Sequence, residues 1–216
     1  MRPTVVALAS VLAACTVLGT FAYTATAGVA ATSTPESVVP SKDAKTADHE
    51  PDGFWTGPVN DPVPATIKGG KVIHTQDLAA LLQHKNGKAA VVVDVSNAPR
   101  KPDNLPPTTT WLPVPHQAIP GAIWIPGAGL GAPPPPIDQF FRQRLATATD
   151  NDLARPLILY CHEKCWLSWN GAKRAIQYGY RNVYRVPDGI EGWRKAKLPT
   201  AVVQPEATPV GVPPGS

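Results

Sequence analysis

The chain has 216 residues, enough for one globular domain with flanking segments. It carries 20 lysine and arginine residues against 16 aspartate and glutamate residues, a net charge of +4. The basic residues are scattered, with no run and no interleaved aromatic side chains, which argues against nucleic-acid binding.

The N-terminus, residues 1–27, has the pattern of an export signal. Arg2 supplies positive charge, an apolar stretch follows, and Ala25–Ala27 fits an A-x-A cleavage site. A second interpretation is a lipoprotein signal that ends before Cys15, which would then carry lipid; an uncleaved anchor is a third. We therefore expect an exported protein that meets the membrane only through this signal or a lipid anchor.

The flanks differ in composition from the middle of the chain. Residues 28–64 are rich in Ala, Thr, Ser, Pro and acidic residues, which predicts a flexible, Pro-rich segment. The aromatic pair Phe54-Trp55 interrupts that segment and is expected to dock on the folded domain. We place this domain at residues 65–199, and we expect residues 200–216 to be a disordered tail.

Within the domain, short apolar runs alternate with helical patterns. Strands are predicted, in chain order, at residues 71–74, 89–95, 122–125, 157–160 and 183–186. Helices are predicted to begin near Thr75, Ile137, Trp169 and Ile190. This alternation predicts an α/β domain with a mainly parallel central sheet and helices on both faces.

Two cysteines follow the predicted strand at residues 157–160. Cys161 opens a short loop, Cys165 lies four positions on, and a helix is expected to begin near Ser168 or Trp169. The first N–H groups of a helix lack partners and carry partial positive charge, so they lower the pKa of a thiol beneath them. The order of strand, cysteine loop and helix predicts a reactive thiolate; a buried structural cysteine is the alternative.

The spacing of the pair leaves three roles open. In an oxidising compartment an isolated pair of cysteines usually forms a disulfide, although a five-residue closure is tight. Persulfide chemistry and dithiol–disulfide cycling are the other two roles. A structural zinc site needs four ligands, and the remaining histidines lack ligand spacing. We therefore expect neither a metal nor a cofactor; those histidines are His49, His74, His84 and His116.

Four segments in order resemble a rhodanese-like domain. They are VVVDV at 91–95, IPGAIWIP at 119–126, LYC at 159–161 and GYRNVYRVPDGIEGW at 179–193. The resemblance implies a rhodanese-like α/β fold in which Cys161 accepts a sulfane sulfur and holds it as a persulfide. It also implies that N–H groups of the loop stabilise the anion.

The loop departs from the family's usual C-x-x-G-x-R pattern. Lys164 stands where Gly is expected, and Trp166 stands where Arg is expected. Related phosphatases need an Arg six positions after the cysteine to clamp phosphate, and Leu167 occupies that position. Phosphatase activity is therefore excluded, and a sulfurtransferase of this type would work without the usual loop glycine and arginine.

A longer stretch resembles a narrower group of exported proteins, named for pyrroloquinoline-quinone (PQQ)-dependent catabolism and a CXXCW motif. The segments are CHEKCWLSWNGAKRA, PRKPDNLPP and WLPVPHQAIPGAIWIPGAG, and Cys161, Cys165 and Trp166 carry the motif with three residues between the cysteines. The resemblance implies a periplasmic location and a link to quinoprotein catabolism. It implies a quinoprotein dehydrogenase or a cytochrome c as partner, and a small sulfur-containing substrate.

The candidate site has two catalytic cysteines, Cys161 and Cys165. The remaining loop residues are His162, Glu163, Lys164, Trp166, Leu167 and Ser168, and the supporting residues are Asp94, Lys173 and Arg174. Asp94 is expected to bond backbone near the site, and Lys173 or Arg174 to pair with Asp94 or another acidic neighbour. Trp166 is expected either to line the mouth of the site, or meet a partner, or to pack beneath the loop.

Three functions follow. The first is sulfur transfer at Cys161. The second is a non-catalytic accessory role in a quinoprotein system, for which exposed tryptophans would form a binding surface. The third is thiol–disulfide exchange with a redox partner through the cysteine pair.

Overall fold

The computed structural model describes residues 49–83 and 88–207. The strands are β1 (Lys71–Val72), β2 (Val91–Asp94), β3 (Gln117–Ala118), β4 (Ile123–Trp124), β5 (Leu157–Tyr160), β6 (Val183–Val186) and β7 (Ala201–Val202). The helices are α1 (Thr75–Gln83), α2 (Pro135–Ala148), α3 (Trp166–Gln177) and α4 (Gly189–Lys195). The predicted signal with Cys15, most of the segment 28–64, and His84 lie outside the described residues.

The main sheet has five parallel strands in the order β1-β6-β5-β2-β4. β5 is central, pairing Leu159 with Val93 of β2 and with Arg185 of β6. The predicted α/β fold with a mainly parallel sheet is confirmed. Because all five strands run the same way, their carboxyl ends share one edge of the sheet, where sites of such folds lie.

Side chains of β5 alternate between the two faces, as strand geometry requires. Leu157 and Leu159 belong to the core cluster that contains Phe141 of α2 and Trp169 of α3. Ile158 and Tyr160 belong to the other cluster, with side chains of α1 and α4. Two helices therefore cover each face, as predicted.

The helix after the cysteine loop begins earlier than predicted. α3 starts at Trp166, with Cys165 in an extended conformation as its N-cap residue. The N–H of Trp166 donates to the carbonyl of Val59 at 2.9 Å. A segment distant in sequence therefore supplies the acceptor for the first N–H of the helix, which has no partner within it. Trp166, Leu167 and Ser168 therefore form the first turn of α3 and do not belong to the loop.

The chain from 200 to 207 differs from the expected disordered tail. β7 pairs antiparallel with β3, and the guanidinium of Arg144 donates to both carboxylate oxygens of Glu206 at 3.0 and 2.8 Å. The N–H of Glu206 also donates to the carbonyl of Trp124 at 2.8 Å. Composition alone misses this strand because its partner, β3, is only two residues long and lies far away in sequence.

Candidate active site

Cys161 and Cys165 lie buried at the carboxyl end of β5. Cys161 is 1% exposed and Cys165 is 2% exposed, and both are free thiols. The N–H of Ser168, the third residue of α3, donates to Cys161 Sγ at 3.3 Å. This donor gives Cys161 the contact with a helix N-terminus that stabilises a sulfur anion.

The two thiols differ in their readiness to lose a proton. Burial raises the pKa of Cys161 well above its usual value, despite the donor from Ser168. The hydrogen bond from the Cys161 thiol lowers the pKa of Cys165 to about 7, aided by the backbone N–H groups of Leu167 and His162. The thiolate expected at Cys161 is therefore carried first by Cys165, because burial outweighs the helix N-terminus at Cys161.

The loop between the thiols keeps a backbone conformation that favours glycine. Lys164 has φ = 56°, in the left-handed region, at the position where the resembling loops have Gly. Its N–H faces the carbonyl of Pro187 at 3.4 Å, and the N–H of Glu163 donates to Glu191 Oε2 at 2.8 Å. These N–H groups are therefore bound to the turn after β6 and to α4. The Lys164 side chain is exposed at the rim.

The turn that begins α4 packs against the backbone of the cysteine loop. Gly189 has φ = 59°, and a Cβ at this position would overlap the backbone of His162 and Glu163. The N–H of Ile190 donates to the carbonyl of Cys161 at 2.9 Å. The contact of this turn with the loop was not predicted from the sequence, although a glycine at a helix start was the signal.

Two ion pairs occupy the outer rim. His162 Nδ1 lies 2.8 Å from Glu191 Oε1, and Lys195 Nζ lies 2.7 Å from Glu163 Oε2. Both pairs connect the loop to α4. His162 is exposed and Glu163 is half-buried, so they fix the loop at the surface and do not reach the thiols directly.

A segment that precedes the predicted folded domain covers the site. We name residues 51–66 the N-terminal strap. Trp55 of the strap stacks on Trp166, with ring centroids 4.6 Å apart, and its N–H donates to Asn170 Oδ1 at 2.9 Å. Trp166 is 2% exposed, so it neither lines an open mouth nor offers a surface to a partner. The expected docking of the aromatic pair is observed at Trp55.

The other tryptophans expected at a binding surface are also largely inside. Trp169, which lies on α3, is fully buried between this helix and the sheet. Its indole donates to the carbonyl of Thr66 at 3.1 Å. Trp124 and Trp193 are about 5% exposed or less. These tryptophans therefore offer no surface to a partner, whereas Trp111 in the Pro-rich loop is half-buried.

Arg185 on β6 is a site residue that sequence reasoning missed. It is 1% exposed, its Nη1 donates to the carbonyl of Pro64 at 2.9 Å, and its Nε lies 3.4 Å from Ser168 Oγ. The same Ser168 contacts both cysteines, because its hydroxyl donates to the Cys165 carbonyl at 3.2 Å. A charged residue inside the buried run V-Y-R-V was the available signal.

Asp94 at the end of β2 holds a neighbouring polar cluster. It accepts from the N–H and the hydroxyl of Ser96 at 2.9 and 2.5 Å, and from His116 Nε2 at 2.8 Å. The His116 ring stacks on Trp124 with centroids 3.8 Å apart. Asp94 thus bonds backbone at the carboxyl edge of the sheet, as expected. The contribution of His116 was not anticipated, because the two residues are far apart in sequence.

Lys173 and Arg174 do not reach Asp94. Arg174 is buried and pairs with Asp138 of α2 at 2.9 Å, while donating to the carbonyls of Ala128, Leu130 and Gly131. Lys173 Nζ donates to the carbonyls of Pro51 and Asp52 in the strap, at 2.7 Å each. Lys173 therefore ties the strap to α3, and Arg174 joins α3 to α2.

The described residues contain neither a candidate metal-binding group nor a helix that could span a membrane. Within residues 49–83 and 88–207, no group of three or more His, Cys, Asp or Glu side chains is placed to hold a metal ion. In the same part of the chain, no helix is both long and apolar enough to cross a membrane.

The sequence and the fold were compared with known proteins. A family model described as "Rhodanese-like domain" matches residues 75–196. No curated protein matches the chain.

Solved structures similar to the chain include a thiosulfate sulfurtransferase from Pseudomonas aeruginosa, at 22% identity and a TM-score of 0.43. That alignment covers 65% of this chain and 22% of the Pseudomonas chain. A full-length protein from Lactobacillus plantarum aligns at 22% identity and a TM-score of 0.41, over 61% of this chain and 88% of that one. A polysulfide-sulfur transferase homodimer from Wolinella succinogenes aligns at 17% identity and a TM-score of 0.38, over 62% and 79%.

Proposed function

The chain belongs to the family of rhodanese-like domains, and from that premise we propose that it is a sulfurtransferase-type protein that carries sulfane sulfur on Cys161. The proposal rests on one observation above all. Cys161 follows the central strand directly, and the N–H of Ser168 in the first turn of α3 donates to its sulfur at 3.3 Å. A helix N-terminus in this position stabilises the thiolate and the persulfide anion that replaces it.

Cys165 has the role of a base in the first step. With its pKa at about 7, it holds a negative charge at neutral pH and accepts the hydrogen bond of the Cys161 thiol. As Cys161 attacks the outer sulfur of a donor, its proton passes to Cys165. A bond forms between Cys161 Sγ and that sulfur, the sulfur–sulfur bond of the donor breaks, and the sulfite or sulfinate leaves with the electron pair.

The second step returns the site to its starting state. The thiolate of an acceptor attacks the outer sulfur of the persulfide and takes it. Cys161 leaves with the electron pair of the broken sulfur–sulfur bond and recovers its proton from Cys165. In a second route Cys165 attacks the inner sulfur, releases hydrosulfide and forms a disulfide, which an external dithiol must then reduce.

The surroundings of the thiols favour a small, anionic sulfur donor. Both thiols are almost fully buried, so a large acceptor chain could reach them only after the strap moves. Lys164 at the rim is exposed and offers a positive charge to an approaching anion. A thiosulfate- or thiosulfonate-class donor has the required size, charge and sulfane sulfur.

Single substitutions test the assignment of the two thiols. We expect Cys161→Ser to abolish transfer of sulfur from thiosulfonate to a small thiol. Cys165→Ser should slow the first step about 10- to 100-fold, because a base is lost, without abolishing transfer. Sulfur transfer retained by a folded Cys161→Ser variant would refute the proposal.

A second candidate function is thiol–disulfide exchange. Two free thiols within one five-residue loop favour it, since the thiolate of Cys165 is a competent attacking group. In that case both cysteines would be equally essential, and thiosulfonate would leave no sulfur on the protein. Equal loss of disulfide-reducing activity in the two serine variants, without any persulfide, would support exchange over sulfur transfer.

We further propose that the protein is exported to the periplasm and serves PQQ-dependent catabolism. The support is the N-terminal signal pattern and the sequence resemblance around Cys161, Cys165 and Trp166. A periplasmic quinoprotein dehydrogenase or a cytochrome c would be its partner. Cross-linking in periplasmic extracts should recover one of these, and fractionation that finds the protein only in the cytoplasm would contradict the proposal.

A further inference from the structure

Arg185 is a buried cation without a carboxylate partner in the described part of the chain. Its hydrogen-bond acceptors there, Ser168 Oγ and the carbonyl of Pro64, are uncharged. None of the ion pairs among residues 49–83 and 88–207 includes it. Burying an unpaired guanidinium is costly, so a negative charge close by is needed to offset the loss of hydration.

The cysteine pair can supply that charge. The groups whose charge acts on Arg185 are Cys161, Cys165 and Asp188. Asp188 is already engaged, because His74 Nδ1 lies 2.8 Å from one carboxylate oxygen and the N–H of Thr75 donates to the other at 2.8 Å. Asp188 keeps its charge but directs its oxygens at His74 and Thr75, so the thiols are the groups on the cysteine side of Arg185 that can become negative.

Ser168 connects the guanidinium to the sulfur of Cys161 and to the backbone of Cys165. Its N–H donates to Cys161 Sγ, and its hydroxyl donates to the carbonyl of Cys165. With its proton used in that way, the hydroxyl oxygen presents its lone pairs to Arg185 Nε, 3.4 Å away. Arg185 is therefore linked to Cys161 through Ser168, in the first turn of α3.

We infer that Arg185 is a positioning residue, the counter-ion of the sulfur anion shared by Cys161 and Cys165. It takes the place of the loop arginine that related proteins carry at the position of Trp166. Its part in holding a persulfide rests on the proposed function, whereas its part in holding the thiolate does not. Strand β6 thus places a buried positive charge beside the cysteine loop, whose own lysine, Lys164, is exposed.

The test is the pH dependence of thiol alkylation by iodoacetamide, which reports the thiolate directly. Arg185→Met removes the charge with a similar apolar length, and Arg185→Lys keeps the charge. Arg181→Met, at an exposed arginine of the preceding turn, is the matched control. Circular dichroism and thermal melting establish that each variant is folded.

We expect Arg185→Met to move the alkylation midpoint upward by about one pH unit or more, which lowers the rate at pH 7 about fivefold or more. Arg185→Lys should stay closer to the wild type than Arg185→Met does, and Arg181→Met should not shift. The other titratable side chains around the loop are unchanged in all three variants; they are His162, Glu163, Lys164, Asp188, Glu191 and Lys195. A folded Arg185→Met protein with an unchanged midpoint would overturn the inference.

A second measurement covers the case in which Arg185→Met does not fold. The double variant Cys161→Ser, Cys165→Ser removes the negative charge that the thiols present to Arg185. Because the pKa of Cys165 is lowered to about 7 in the fold, its stabilisation is present at higher pH and is lost as pH falls through about 7. The melting temperature of the wild type should therefore exceed that of the double variant by more at pH 8.5 than at pH 6. An equal gap at both pH values would overturn the inference.

The two proposals fail separately. If wild-type protein forms no persulfide while Arg185→Met still shifts the alkylation midpoint, Arg185 balances a thiolate used for other chemistry. If the persulfide forms and the midpoint does not move in a folded Arg185→Met variant, sulfur transfer stands and the counter-ion assignment is wrong.

Discussion

Cys161 and Cys165 are four residues apart, yet their surroundings assign them different parts of one reaction. Cys161 lies deeper, where burial raises its pKa. Cys165 caps α3 and receives the hydrogen bond from Cys161, which lowers its pKa to about 7. In the proposed reaction, Cys161 therefore keeps its proton until the substrate arrives, and Cys165 holds the charge that removes it.

This division of roles predicts the behaviour of Cys161→Ala. Without the thiol donor, the largest influence that lowers the pKa of Cys165 is gone. The alkylation midpoint of Cys165 should rise by about one to two pH units, so that its reaction with iodoacetamide at pH 7 slows about 5- to 50-fold. Stopped-flow or mass-spectrometric alkylation between pH 5 and 10 measures this, with Cys161→Ser, which keeps a hydroxyl donor, as the comparison. A midpoint that stays near 7 in the alanine variant would contradict the shared proton.

At the residue scale, the sequence predicted the two cysteines and their neighbours on the loop. It did not predict Arg185 or His116, since each reaches the site through folding and not through proximity in sequence. Alternation along β6 places Arg185 on the α3 side of the sheet, but only the register with β5 shows that it lies beside the cysteine loop. The different environments of the two thiols were not predicted, because burial depth cannot be read from a motif.

At the scale of elements, the strap and α3 decide whether the thiols can be reached. The strap contributes the stacked ring of Trp55, the carbonyl of Val59 that accepts from Trp166, and the carbonyl of Pro64 that accepts from Arg185. Lys173 holds its start through two further carbonyls. The strap, which precedes the rhodanese-like domain, therefore covers the first turn of α3.

Trp55→Ala should open this cover. Stacked aromatic pairs contribute about 0.5–1.5 kcal/mol, so local opening should become roughly two- to tenfold more frequent. The alkylation rate of the buried thiols at a fixed pH should rise by the same factor. Trp111→Ala, at a half-buried tryptophan of the Pro-rich loop, is the matched control and should leave the rate unchanged. Equal rates in the two variants would show that the strap does not limit access.

At the scale of the whole molecule, the alternation of apolar runs and helical patterns sufficed to predict the sheet and its two covered faces. The residues of β2 and β5 are apolar on both faces, and such runs identify central parallel strands. The cysteines at the carboxyl edge followed from that topology. The strap and β7 did not, because Pro-rich, polar segments pack through backbone hydrogen bonds that composition does not reveal.

The architecture also shows how, in the proposed mechanism, Arg185 replaces the usual loop arginine. Parallel strands bring the ends of β2, β5 and β6 to one edge, so a charge on β6 can act beside a cysteine that follows β5. The positive φ of Lys164 keeps the turn that a glycine would make. The molecule thus preserves the geometry of the site while drawing its charge from a different element.

The most direct test of this account is the position of a transferred sulfur atom. Reduced wild-type protein is treated with a thiosulfonate, trapped with an alkylating reagent and digested, and the peptide that spans Cys161 and Cys165 is fragmented in a mass spectrometer. The account predicts the added mass of one sulfur on Cys161, with Cys165 alkylated and unmodified by sulfur. Added sulfur on Cys165 in place of Cys161, or a treatment that leaves no sulfur on Cys161 and releases no hydrosulfide, would contradict it.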